Sequence, residues 1–120
     1  MIELRFFNDK EEVISIAVKE QTYEYLANAG LAKIVNYKDK KLTVEGDVYD
    51  ETVVELSKSN RKTLIAFIEN ERHIALSDFF RKFDDKVTVK ELRDNLGYVR
   101  DLTGLYSQFI DETNMYFTYG

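Results

Sequence analysis

The stretch VEGDVYDET gathers the first residues whose types and spacing could do chemistry. On an extended strand, Glu45 and Asp47 share one face with Tyr49, and Asp50 and Glu51 follow at once. Carboxylate oxygens are the ligands that Mg²⁺ or Ca²⁺ would take. A helix cap at Asp50 and a solvated strand face account for the same residues without a metal, and this is the reading adopted. The sole histidine, His73, follows Glu69 by four residues, so a helix would turn both toward one cation. One histidine and one glutamate make half a site, and His73 is expected at the surface. Asp39 with Lys41, and Asp84 with Lys86, form D-x-K triplets of the kind metal-dependent nucleases use, but both fall in predicted turns. FRKFDD…KEL has a faint likeness to a calcium-binding helix–loop–helix, yet Asp84 and Glu91 stand too close for that loop.

Nucleophilic catalysis by serine and histidine would need a strained turn, and no G-x-S-x-G occurs. Gly30, Gly46, Gly97, Gly104 and Gly120 are scattered and none precedes lysine, so no phosphate-cradling loop is expected. The absence of cysteine excludes disulfides, zinc–thiolate sites and thiol nucleophiles. We therefore expect no catalytic residue, no cofactor, no metal and no enzyme; a metal-dependent enzyme ranks last among the functions weighed.

The elements that must position these residues follow from pattern. At 120 residues, 44% of them hydrophobic, the chain can build one core and fits one domain. Proline is absent and no Gly/Ser linker appears, so connections should be tight. IELRFF and EVISIAVK flank the turn residues NDKE and predict a hairpin; a long helix on Ile14, Ala17, Val18, Tyr25 and Leu26 is the competing reading. A helix through TYEYLANA should end at Gly30. AKIVNY and KLTVEGDVY predict a second hairpin around KDK. DETVVELSK then reads as a short helix capped by Asp50. Leu64, Ile65, Ile68, Arg72, Leu76, Phe79, Phe80 and Phe83 have helical spacing, as two helices broken near HIALS, with a hairpin TLIAFI–ENER–HIALSDF as alternative. The expected fold class is α+β: a β-rich half over 1–49 and a helical half over 50–120 with a short final strand, MYFTYG.

In TVKELRDNLGYVRDLTGLYSQF, Thr88 and Glu91 have capping-box spacing. Val89, Leu92 and Leu96 line one stripe, Gly97 stands where a helix could close, and Val99, Leu102, Leu105, Tyr106, Phe109 and Ile110 line a second stripe. ELRDNLGYVRDL resembles the generic helix-turn-helix pattern, which implies two short helices and, with MYFTYG, a winged DNA-binding module. Lys82, Lys86, Lys90, Arg93 and Arg100 would then touch the nucleic-acid backbone. The second stripe's polar residues argue against base reading: Arg100 stands against Asp101, Asp111 and Glu112 beside a polyanion. Two packed helices are the favoured reading.

Charge points the same way. The net charge is -5. Residues 1–60 carry 8 basic and 12 acidic side chains, 61–100 carry 9 and 7, and 101–120 add three acids. The apolar run LIAFI at 64–68 is far below the ~20 residues of a membrane span. MIELRFF lacks the charged and apolar regions of a signal peptide. The chain is thus expected to be soluble and cytoplasmic, with no membrane partner. The function expected is a small acidic protein-binding domain, an inhibitor or antagonist of the phage, mobile-element or immunity type. Its partner would be a protein, one with a basic nucleic-acid-binding groove being the natural match. Binding would use Glu45, Asp47, Asp50 and Glu51, or Tyr98, Tyr106, Tyr116 and Tyr119 with Phe117, since aromatics are enriched at interfaces. Nucleic acid is a partner only under the winged-helix alternative, over residues 81–100.

Overall fold

The computed structural model describes residues 1–83 and 86–119. β1 (Ile2–Asn8) and β2 (Val13–Val18) form the expected N-terminal hairpin. Alternation drives it: Leu4 and Phe6 are wholly buried on one face, while Arg5 points to the other. Asn8 shapes the turn, its Oδ1 accepting the N–H groups of Lys10 and Glu12 at 2.9 Å each. The competing long helix does not form, because β-branched Val13, Ile14 and Ile16 favour the sheet. α1 (Glu20–Asn28) begins after β2 and ends as expected, with Gly30 left-handed at φ 90°. AKIVNY, expected as strand, opens instead in a 3-10 turn, Leu31–Lys33.

The second hairpin exists, but its turn is not KDK. β3 (Tyr37–Val44) pairs with β4 (Asp47–Glu55) up to Val44↔Asp47, leaving Glu45 and Gly46 as a two-residue loop. Their φ values of 51° and 86° give the turn twist that matches paired strands. Lys38, Asp39 and Lys40 offer no glycine for the second turn position and continue the strand. DETVVELSK is likewise extended rather than a helix capped by Asp50, since Thr52, Val53 and Val54 are β-branched. The cap belongs to Ser57, whose side chain accepts the Asn60 N–H at 3.2 Å. The β-rich part therefore runs to Glu55 and not to residue 49.

α2 (Lys58–Lys82) is one helix with neither the break near HIALS nor the alternative hairpin; it contains no glycine or proline to interrupt it. α3 (Val89–Ile110) is also continuous, so the helix-turn-helix is not formed. Its capping box is present: Glu91 N–H donates to Thr88 Oγ1 at 3.1 Å, and Thr88 N–H donates to the Glu91 carboxylate at 3.4 Å. Gly97 does not close the helix, because a closing glycine works through positive φ and Gly97 has none. It serves close approach instead. A Cβ there would stand 2.5 Å from Lys19 Nζ, which crosses α3 at this point.

β5 (Asn114–Thr118) is not a wing. It lies between β1 and β4 and completes an antiparallel sheet of order β2-β1-β5-β4-β3. The fold is α+β, with the helices on one face of the sheet. Leu4, Phe6, Val54 and Phe117 meet Leu64, Ile68, Leu102, Leu105 and Phe109 in the main core. The rings of Phe6, Phe109 and Phe117 lie 4.9–5.2 Å apart by centroid. A small second core on the opposite face holds Phe7, Leu42 and Val53, flanked by Val44 and Tyr116.

Burial on α2 stops at Ile68, although its 25 residues reach ~37 Å. The far part of the helical pair therefore leaves the sheet. Consistently, the radius of gyration is 15.7 Å, above the ~13.6 Å of a compact chain of this length.

Candidate interaction surfaces

Two polar networks, one half-buried and one built on a buried carboxylate, fix what the ends of the molecule present. Near the C-terminus of α3, the Arg61 guanidinium donates to four carbonyls: Phe109 at 2.7 Å, Asp111 at 2.9 Å, Leu56 at 3.2 Å and Asn114 at 2.7 Å. It supplements the acceptors at the end of α3, where the Asp111 carbonyl also accepts the Asn114 N–H at 3.1 Å, and ties α2, α3 and β5 together. Asp111 accepts the N–H and hydroxyl of Thr113, and these bonds hold its carboxyl below the usual carboxylate range. Farther along α3, buried Asp101 accepts the Lys19 N–H at 3.1 Å and the Thr22 hydroxyl at 2.6 Å. A carboxylate from α3 thus caps the first turn of α1, whose own N-cap residue, Lys19, supplies no side-chain bond.

The first exposed surface is the arm made by β3 and β4. β4 pairs with β5 only at Val54 and Glu55, so the remainder of the hairpin extends past the shared sheet. Its turn is anchored by Glu45 N–H donating to the Glu11 carbonyl at 3.3 Å. Glu45, Asp47 and Asp50 are exposed. Between them Val48 and Tyr49 are 64% and 49% accessible. Glu51 stands apart from this set. Both its oxygens accept from the Arg5 guanidinium at 3.1 Å, a two-pronged pair that fixes the arm to β1. At the arm's base Lys38 bonds Glu55 at 2.9 Å; the bond raises the ammonium's pKa and lowers the carboxyl's.

The tyrosines grouped by sequence are not grouped in space. Tyr98, Tyr106 and Tyr119 pack half-buried against the main core, whereas Tyr116 packs against the small one. Tyr98 donates to Glu71 at 3.2 Å, and burial with that carboxylate pushes its phenol well above the ordinary range. Arg72 lies over the Tyr106 ring at 5.2 Å. Lys40 lies 5.4 Å above Tyr116. Tyr119 stacks on Tyr23 at 4.7 Å and donates to its carbonyl; burial pushes it up to about 12. Phe117 is buried.

The second surface lies at the other end of α3. Lys90, Arg93, Gly97 and Arg100 recur at three- and four-residue spacing, and Lys19 fills the gap at Gly97. Lys82 ends α2 and Lys86 lies in the connection between the helices. Beside the cations run Val89, 69% accessible, Leu92 and Leu96, 52% accessible. Together they line a groove of about 410 Å³ with Lys19, Arg93 and Arg100. Phe80, at 70%, is exposed nearby on the end of α2. Sequence spacing shows the row on α3, but nothing local links it to Lys19.

The other chemical candidates are not assembled into a site. Glu69 and His73 sit one turn apart on α2, both exposed. Among the described residues, no group of three or more His, Cys, Asp or Glu could hold a metal ion. Asp39 and Lys41 lie in β3 rather than a turn, and Asp39 accepts the Thr52 hydroxyl at 2.8 Å. Asp84 of the second triplet lies outside the described residues. Among the described residues, no helix is long and apolar enough to cross a membrane.

Set against family models, curated proteins and solved structures, the chain matches none.

Proposed function

We propose that the chain is a non-enzymatic protein-binding domain that acts as an inhibitor or antagonist by covering a partner's surface. The observation behind this reading is the arm, which exposes Tyr49 with Asp47 on one face of β4 and Val48 with Asp50 on the other, with Glu45 at its tip. Each face of a projecting arm thus offers an accessible apolar side chain for anchoring beside a carboxylate for orientation. The carboxylates' negative charge suits a basic groove of the kind that otherwise holds phosphates, so occupancy would compete with nucleic acid. Glu51, taken up by Arg5, positions the arm rather than meeting the partner. The C-terminal tyrosines support packing. We place the protein in the cytoplasm, with the phage, mobile-element or immunity type of antagonist as its biological setting; the Cys-free, acidic composition is compatible with both.

The test is a photo-crosslinking residue placed at Tyr49, with Thr63 on α2 as control position, in a lysate of the native host. One defined protein adduct at 49 and none at 63 is the expected result. Asp47→Lys with Asp50→Lys should abolish it while the unfolding curve stays unchanged. An adduct that survives this charge reversal would end the acidic-arm reading.

A further inference from the structure

We infer that α3 carries a second docking surface, opposite in charge to the arm, whose occupant is an acidic amphipathic segment of a partner protein. Two parallel rows on the first three turns of the helix define it. One row is apolar: Val89, Leu92 and Leu96. The other is cationic: Lys90, Arg93 and Arg100, with Lys19 standing over Gly97. Glycine matters here because a side chain at 97 would push the Lys19 ammonium out of the row. None of the acids of the same turns lines the groove. Glu91 closes the capping box, and Asp101 turns inward to Lys19 and Thr22 while its other oxygen accepts from Arg100 at 3.4 Å, leaving that guanidinium largely exposed. Asp94 faces the neighbouring pocket, away from the groove.

A local excess of cations on a chain of net charge -5 selects an acidic occupant. The apolar row selects a polypeptide over a nucleic acid. A phosphate backbone would use the cations but leave Val89, Leu92 and Leu96 in water. From residue 89 to 100 the ridge is ~16 Å long, which matches about three turns of a partner helix presenting apolar groups at three- and four-residue spacing.

The experiment uses the full chain and a fluorescein-labelled synthetic helix with leucines on one face and glutamates flanking them. A twin peptide carries glutamine at each glutamate. Polarisation should show the glutamate peptide bound about tenfold or more tightly than its twin at low salt, the gap closing as salt rises. Lys90→Glu with Arg93→Glu should reverse that preference. Leu96→Asp should lose both peptides. All three positions are exposed, so unfolding curves should match the parent. Asp47→Lys with Asp50→Lys should bind the peptide as the parent does, which separates this surface from the arm. Equal binding of the twins, or no binding of either, would overturn the proposal. So would tighter binding of duplex DNA or of phosphatidylglycerol vesicles that persists in Leu96→Asp.

Discussion

The two ends of the helical pair are held in opposite ways. Where α2 begins and α3 ends, one guanidinium serves four carbonyls and the helices sit on the sheet through Leu64, Ile68, Leu105 and Phe109. Where α2 ends and α3 begins, Phe80, Val89 and Leu96 stand in solvent beside a row of cations. The first end carries the acidic arm through the sheet; the second carries charge of the other sign. Shared hydrogen bonds and apolar burial are concentrated where the sheet backs the helices. Apolar surface is left open where the sheet no longer reaches, and such surface is where partners dock.

Loosening the sheet-bound end should have the largest effect. Arg61→Ala removes four charge-assisted hydrogen bonds to backbone carbonyls, one of which, that of Asp111, also accepts the Asn114 N–H, and should cost about 3 kcal/mol in urea unfolding. Hydrogen exchange should accelerate at 108–118 and at the start of α2, with the far end of the helical pair little changed. Next comes the link between α3 and α1. Asp101→Ala removes the acceptor for Lys19 N–H and the Thr22 hydroxyl and should cost about 2 kcal/mol, with faster exchange confined to residues 19–23. Asp101→Asn, which keeps one acceptor oxygen, should lose less. The smallest change has the opposite sign. Gly104→Ala lies mid-helix between the two ends, and its Cβ would meet Ile16 at an ordinary 3.9 Å. It should stabilise by up to about 1 kcal/mol in thermal melts. A loss there would mean that α3 is interrupted near Gly104.

Local signals proved reliable where one residue's chemistry decides the backbone. Thr88 with Glu91 makes its capping box, Gly30 takes the left-handed C-terminal position, and period-two alternation makes β1 and β2. They misled where a residue type has two uses. Gly97 has the spacing of a helix stop, yet it admits a lysine from the end of β2. Asp50 has the look of a cap, but Thr52, Val53 and Val54 outweigh it, and Ser57 caps instead. Of the candidate binding residues, Glu45, Asp47 and Asp50 remain exposed on one arm. Glu51 is drawn to a partner 46 positions away, and the four tyrosines disperse onto two cores.

By itself, the sequence determined composition, charge, the exclusion of thiol chemistry, the α+β class and the capped start of α3, because these depend on residue identity or on neighbours within a turn. Tertiary structure alone decided the order β2-β1-β5-β4-β3, the single span of each long helix, the guanidinium shared among α2, α3 and β5, and the meeting of Lys19 with Arg93 and Arg100. Those outcomes depend on which distant groups lose water together, and that free energy is not written in any local stretch of the chain.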